Sequence, residues 1–391
     1  MKPLTGLKVI DISRVLAGPY CGQLLADMGA KVIKIEAPEG DENRRWPPIT
    51  EHSSTTFDSV NRGKKGLTLN LKAEPAQQIL QTLLSTADVV VHNFLPKTAS
   101  SLGLNEAVLR ERYPRLIVCS ITGYGRYGPL RDKPGYDVLL QAFSGIMSTT
   151  GYPDSPPVRV GVSFIDMSTG LSAYAAIVTA LLARSVTGEG QHVHTSLLES
   201  AISWLGYHAV EWLRSGDLPM LAGSGVGHIV PYQAFHGSDG YIMVGATNDK
   251  MFAKLCDALA MPALVSDPRF CSPAQRVINQ AALIPLLDDR FKTQSVQHWL
   301  DELEPAGIPV SPINTLDQIL THPQVIANGM VVEADAHGVA ARLIGMPFKL
   351  GDDLAAAKTA APRLGDDTEE ILRSLAFSDA QISKLRADKV I

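Results

Sequence analysis

Leu7-Lys8-Val9-Ile10-Asp11-Ile12, then Pro19 to Met28, then Ala30-Lys31-Val32-Ile33-Lys34-Ile35 form the stretch that decides the fold. The first and last runs are short and apolar, as in strands buried on both faces. Between them, Pro19 near the start and Gly29 past the end suit the two termini of a helix. Strand, helix and strand in this order predict a parallel βαβ unit. Outward from it come a long polar loop over 36–66, a helix from Glu74 to Thr86, and strand-like runs at Asp88-Val89-Val90-Val91-His92 and Leu116-Ile117-Val118-Cys119-Ser120. The alternation predicts a doubly wound α/β sheet, with ligand contacts at the carboxyl ends of its strands. Ser13 to Pro19, Glu36 to Gly66 and Asn93 to Leu95 occupy those ends.

Farther along, Val160-Gly161-Val162-Ser163-Phe164-Ile165-Asp166-Met167-Ser168-Thr169-Gly170 leads into an apolar helix, Leu171 to Ala183, that meets no charge until Arg184. Such a helix should be buried on most of its surface. Asp166 at its foot suits an N-cap, accepting from unpaired first-turn amides. It equally suits a carboxylate nucleophile, kept ionised by the positive helix end, with amides nearby for an oxyanion. Both readings stand on the local sequence.

Two glycine runs need separate readings, and the first is a decoy. Gly123-Tyr124-Gly125-Arg126-Tyr127-Gly128 follows a strand, but Pro129 and Pro134 interrupt the helix that a dinucleotide site needs. Gly223-Ser224-Gly225-Val226-Gly227 lacks the spacing of a phosphate loop and reads as a hinge or lid. His192 and His194 alternate on a strand after the Asp166 helix, without the partners that imply a metal. A helical stretch, Leu197 to Arg214, follows. Tyr232–His236 and Tyr241–Gly245 then read as a hairpin, with helices at Asp249–Leu259 and Gln275–Leu303. The domain reading is 1–200 for the first part of a large domain, 201–224 a linker, 225–325 a smaller α+β domain, and 326–391 a return to the large one.

The chain has 391 residues and a net charge of -5, so two domains are natural and no basic footprint for nucleic acid exists. The charge-free run Met167–Ala183 falls short of the roughly 20 residues of a membrane span. The four cysteines show no paired spacing, arguing against a disulfide framework or zinc site. A first strand entered by Lys8 leaves no room for a signal peptide. The expectation is a cytoplasmic protein, or one of the mitochondrial matrix after processing.

Several segments together resemble family III CoA-transferases, typified by formyl-CoA and carnitine CoA transferases. They are Leu4–Asp11 with Leu16-Ala17-Gly18-Pro19, Gly29–Glu36, Asn61-Arg62-Gly63-Lys64-Lys65, Asn93-Phe94, Gly135-Tyr136-Asp137, the Asp166 segment, Gly188-Glu189-Gly190-Gln191 and Pro231–Phe235. Cys119–Gly125, His228–Phe235, Gly240–Ala246 and the Gly40-Asp41…Arg44…Trp46 loop are most similar to succinyl-CoA:glutarate-type dicarboxylate transferases.

The resemblance implies a Rossmann-like doubly wound large domain plus the smaller one, and a homodimer of interlocked chains. It implies Asp166 as the nucleophile. Arg14, Val15, Leu16, Lys64, Asn93, Phe94 and Lys133 stand where the family contacts CoA. Ala37 and Ser101 stand where formyl-CoA transferase has arginines, so that clamp is incomplete. The implied reaction passes CoA from a donor such as succinyl-CoA to a short dicarboxylic acid such as glutarate, through an aspartyl anhydride and an aspartyl-CoA thioester. Amides near Asp166 or in the Gly223–Gly227 loop would hold its oxyanions. The acyl-CoA and the acid are substrates, and neither cofactor nor metal is expected. A distal carboxylate needs a cation; Arg44, Arg45, Arg159 and His228 are the candidates. Two competing readings are an α-methylacyl-CoA racemase and a non-catalytic acyl-CoA binder. The first needs a histidine base where this chain has Tyr136, and a phenol is a weak base for removing an α-proton. The second gains nothing from an ionised Asp166 beside a thioester.

Overall fold

The structure is a computed structural model and describes residues 2–50, 53–351 and 359–391. It divides into two compact units. The larger comprises residues 1–144, 161–205 and 322–391, and the smaller comprises residues 145–160 and 206–321.

The main sheet of the larger unit, which also holds an antiparallel pair at Val331–Ala336 and Val339–Ile344, is built from β1 (Lys8–Asp11), β2 (Lys31–Glu36), β3 (Lys65–Thr68), β4 (Val89–His92), β5 (Ile117–Thr122) and β6 (His192–Ser196). They form one six-stranded sheet in the order β3-β2-β1-β4-β5-β6. Every pairing is parallel. This is the order of a dinucleotide-type doubly wound sheet, whose strand order reverses beside β1 and leaves a crevice at the carboxyl ends. The central strands are the most apolar, and all four residues of β4 are buried.

Strand β3 lies within the stretch read as loop and helix approach. Its sequence, Lys65-Gly66-Leu67-Thr68, has only one large apolar side chain, and it sits at the sheet edge. Chain from the C-terminal segment covers it: the amide of Gly66 donates to Asp367 and that of Thr68 to Thr368. A Cβ on Gly66 would come within 2.9 Å of the Arg363 carbonyl oxygen, so only glycine permits this cover.

Up to residue 205 the helices of this unit are α1 (Ala17–Asp27), α2 (Thr55–Asp58), α3 (Glu74–Ser85), α4 (Pro96–Ser101), α5 (Glu106–Arg112), α6 (Asp137–Phe143), α7 (Phe164–Thr187) and α8 (Leu197–Trp204), and its last segment adds Pro323–Ala327, Thr368–Ser374 and Asp379–Ala387. No helix follows Gly123–Gly128 until Asp137, in keeping with the two prolines. Helix α7 is the one described helix long and apolar enough to cross a membrane. It is a packed helix of this unit instead. Gly170 lets it approach α1 so closely that a Cβ there would meet the Ala17 carbonyl oxygen at 2.5 Å. Its Arg184 pairs with Asp88 at 2.8 Å. The expectation that most of its surface is buried fails. Ile165, Thr169, Ala173, Ile177, Ala180 and Arg184 mark a single buried stripe, while Leu182 and Val186 are exposed.

The stretch expected as one helix from Leu197 to Arg214 is two. The break falls at Gly206, whose φ is +51°, and α9 (Gly206–Ser215) opens the main part of the smaller unit. That unit pairs β7 (Tyr232–His236) and β8 (Tyr241–Gly245) as an antiparallel hairpin, with β9 (Val310–Pro312) beside β8. Helices at Asp249–Ala258, Gln280–Phe291 and Val296–Leu303 close its core around Phe235, Phe252, Phe291 and Trp299.

Candidate active site

The loop after β1, the residues after β4 and the first turn of α7 meet at a cleft of about 320 Å³ over the carboxyl ends of the sheet. Arg14, Val15, Leu16, Asn93, Phe94 and Asp166 all line it. Six residues from three distant parts of the chain thus face one space.

The β1–α1 loop is held by buried polar groups. Val15 has φ +71°, an unfavourable conformation for a β-branched residue. The Asp41 carboxylate accepts from its amide at 3.1 and 3.2 Å, and Asn43 donates to its carbonyl at 2.6 Å. Asp41 is in turn paired with buried Lys34 at 3.0 Å, and Lys34 also donates to the Ser13 carbonyl. Strain of this kind persists only where the surroundings over-determine it. Asn93 uses both ends of its amide on the Arg14 backbone, at 2.9 and 2.8 Å, and so links the ends of β1 and β4. The Arg14 guanidinium lies 5.9 Å from the Phe94 ring centroid.

Asp166 is not the cap of α7. It is the third helical residue, and it is 8% exposed. The capping is done by Asp137, at the start of α6, whose Oδ2 accepts from the amides of Ile165 and Asp166 at 2.8 and 3.1 Å. This also corrects the expected ionisation. Burial, and then the Asp137 charge, raise the Asp166 carboxyl from 3.8 to about 7, against the favourable helix end. Three amides beside Asp166 that were expected to hold an oxyanion are engaged, those of Ile165 and Asp166 by Asp137 and that of Met167 by the Ser163 carbonyl at 3.2 Å. The sequence reading gave Asp137 no role. Its motif was visible, but capping a helix that begins 27 residues later is a tertiary relationship.

Two expected contacts are corrected outright. Lys64 does not face the cleft. Its fully buried ammonium donates to Asp11 at 2.8 Å, to the Pro19 carbonyl at 2.7 Å and to Asn61 at 2.8 Å, which uses all three of its protons. Burial lowers its pKa to about 8. For Asp11 burial acts upward, but Lys64 and Lys34 more than offset it and hold the carboxyl below its ordinary value. Arg44 is likewise no free cation for a substrate. It forms a bidentate pair with Glu36, both bonds 2.7 Å, donates to the Pro362 carbonyl, and stacks 3.5 Å from the Phe57 ring centroid.

Lys133 is exposed, with its ammonium 5.2 Å from the Tyr124 ring centroid, while its neighbours Pro134, Gly135 and Tyr136 line the cleft. Arg159 and His228 belong to the smaller unit. There Arg159 is exposed and donates to the Val160 carbonyl at 3.3 Å, and His228 meets the Tyr207 ring edge-on at 5.6 Å. The Gly223–Gly227 loop is tied down by backbone bonds from Gly223 to Gly151 and from Val226 to Tyr232.

A second cleft, of about 670 Å³, shares Arg14, Glu42, Phe94 and Thr98 with the first. Ala37 and Ser101 line it, as do the cations Lys72 and Arg45. Lys72 lay just beyond the loop singled out in the sequence and was missed. Among the described residues no group of three or more His, Cys, Asp or Glu is arranged to hold a metal ion.

The model of CoA-transferase family III matches residues 4–368. The chain belongs to CoA-transferase family III. The transferase is 41% identical to an acyl-CoA transferase of Fusarium pseudograminearum, over 99% of this chain and 88% of that one. It is 38% identical to the human succinyl-CoA:glutarate CoA-transferase, over 100% and 90%. A solved CaiB/BaiF family protein from Brucella suis superimposes with a TM-score of 0.87 at 38% identity, covering 96% of the transferase and 99% of that chain.

Proposed function

We propose that this CoA-transferase moves CoA from succinyl-CoA to a short dicarboxylic acid such as glutarate, with Asp166 as the nucleophile. The observation that carries the reading is Asp166 itself, a carboxyl group facing a cleft shared with Arg14, Asn93 and Phe94. The Asp166 oxygen attacks the thioester carbonyl, forming an aspartyl anhydride and expelling CoA thiolate. The thiolate then attacks the aspartyl carbonyl, giving an aspartyl-CoA thioester and releasing succinate. The acceptor carboxylate reverses the two steps. Covalent catalysis divides a poor exchange into attacks by positioned groups. Thioester energy is conserved throughout, so the reading needs no cofactor.

The CoA moiety is assigned to the two adjoining clefts, with Val15, Leu16 and Phe94 beside its apolar parts and Arg14, Lys72 and Arg45 near its phosphates. Lys133 remains a proposed rim contact. For the distal carboxylate of the acceptor the proposal keeps Arg159, seven residues before Asp166 in sequence, and His228. The name of the human relative supports a dicarboxylate acceptor. The test of the covalent route is digestion after incubation with succinyl-CoA alone. A CoA adduct is expected on the peptide containing Asp166, and turnover with an adduct confined to another residue would refute the assignment.

The proposal includes a homodimer of interlocked chains and a reducing, cytoplasm-like compartment. Support for a partner copy is apolar surface on single helices. No residue of α9 is buried, and Trp204, Tyr207, Trp212 and Leu213 are 51–74% exposed. Rapid monomer–dimer exchange on dilution, seen by sedimentation, would contradict interlocking. For the compartment the support is that all four cysteines are free.

A further inference from the structure

On the face of the sheet where α4 and α5 follow β4, a further cavity of about 160 Å³ shares Phe94 and Thr122 with the first cleft and is otherwise lined by groups that the proposed transfer does not use. His92, Ser120 and His194 are register partners on β4, β5 and β6, and His192 lies two residues before His194. Alternation along strands puts all four side chains on one face. Phe94, Ala99 and Leu104 supply apolar wall.

The polar groups form an ordered relay. Ser120 Oγ lies 2.8 Å from His192 Nε2. His192 Nδ1 lies 2.6 Å from Glu106 Oε2, and Arg126 donates to that same carboxylate at 2.5 Å. Burial acts upward on the Glu106 carboxyl, but His192 and Arg126 outweigh it and hold it below its ordinary value. Arg126 Nη1 also lies 3.3 Å from His192 Nδ1, but the 2.6 Å contact with a carboxylate is much the shorter and assigns the histidine proton to Nδ1, donated to Glu106, which leaves Nε2 to accept the serine proton. Nucleophile, base and orienting carboxylate therefore stand in the relation that activates a serine. His92 completes the site. Its ring is 4% exposed, and Nδ1 is buried with no hydrogen-bond partner among the described residues, beside the serine strand. Burial, then His192 and His194, lower its pKa to about 4, so it stays neutral and can offer an N–H to an oxyanion.

We propose that Ser120, His192 and Glu106 form a second catalytic site that hydrolyses short-chain carboxylic esters and thioesters. Ser120 Oγ bonds to the acyl carbon as its proton passes to His192 Nε2. The bond to the alkoxide or thiolate then breaks, and the leaving group takes that proton. Water, deprotonated by the same nitrogen, attacks the acyl-serine and restores the hydroxyl. The space of about 160 Å³ suits an acyl group of a few carbons. Nothing in this site depends on Asp166 being the transfer nucleophile, so failure of either assignment leaves the other standing.

The test uses the full-length protein with diisopropyl fluorophosphate, followed by peptide mapping, and with p-nitrophenyl acetate as substrate. Labelling should fall on Ser120, be slowed by Glu106→Gln and be lost in His192→Gln. Ester turnover should fall about 100-fold or more in Ser120→Ala. A serine that merely ties β5 to β6 does not react with the fluoride. Absence of label on Ser120 in the wild-type protein overturns the proposal whether or not the variants fold. Equal labelling in folded His192→Gln, or unchanged ester turnover in Ser120→Ala, also overturns it.

Discussion

The Asp137 carboxylate accepts hydrogen bonds from the backbone amides of Ile165 and Asp166, so one buried acid caps the helical turn that carries another. Asp137 thereby positions Asp166 and also raises its pKa. An asparagine keeps an acceptor for the amides but removes the charge. In Asp137→Asn we expect the acidic limb of the kcat/KM profile to move down by roughly one pH unit, with the fold retained. An unmoved profile in a folded variant would show that the charge does not tune Asp166.

The same shift couples pH to stability. The unfolded chain releases the Asp166 proton near 3.8 and the native state near 7, so between these values the native state binds more protons. The stability from this group is full below about 3.8 and is lost as pH rises through 7. Activity should rise through the same window as the nucleophile ionises. Asp166→Asn should be the more stable protein at pH 8, by about 2–4 kcal/mol after allowance for the favourable helix end. Urea midpoints of both proteins at pH 5 and pH 8 check this. A stability difference independent of pH would contradict it.

Lys64 offers a test of structural against binding roles. Removing it leaves Asp11 buried without its partner at 2.8 Å, which costs about 3–5 kcal/mol. We expect Lys64→Ala to lower the melting temperature by many degrees, or to prevent folding. A tenfold rise in KM for the CoA ester with unchanged stability would restore Lys64 to the substrate site.

These cases show how far the sequence can be read. The βαβ unit was legible because Val9, Ile10 and Ile12, and Val32, Ile33 and Ile35, give two short apolar runs a helix apart. The edge strand Lys65–Thr68 was not, since its stability comes from partners 300 residues away. Asp166 was legible as a residue that matters, but its cap and its protonation were not, because the cap comes from Asp137 and the raised pKa from tertiary burial and then the Asp137 charge. The basic residues misled for one reason. Lys64 and Arg44 stand in motifs, and a motif does not reveal that Asp11 and Glu36 already hold them. The Ser120–His192–Glu106 relay joins three segments and has no local signature.

The acceptor is tested by comparing acids of equal length. A cation placed for a distal carboxylate is left unpaired by a monocarboxylic acid, which costs roughly 3–5 kcal/mol, or two to three orders of magnitude in specificity. With succinyl-CoA as donor, kcat/KM for glutarate should exceed that for butyrate by that margin. Arg159→Gln should erase most of the difference. A glutarate-to-butyrate ratio near one would remove the dicarboxylate assignment.

The central claim is that Asp166 is the nucleophile, and CoA transfer by Asp166→Ala measures it most directly. The side chain does not cap α7, so its loss should leave the protein folded and able to bind CoA. Without the covalent route, transfer should fall by about three orders of magnitude or more. Transfer within tenfold of the wild type, in a folded Asp166→Ala protein, would contradict the mechanism.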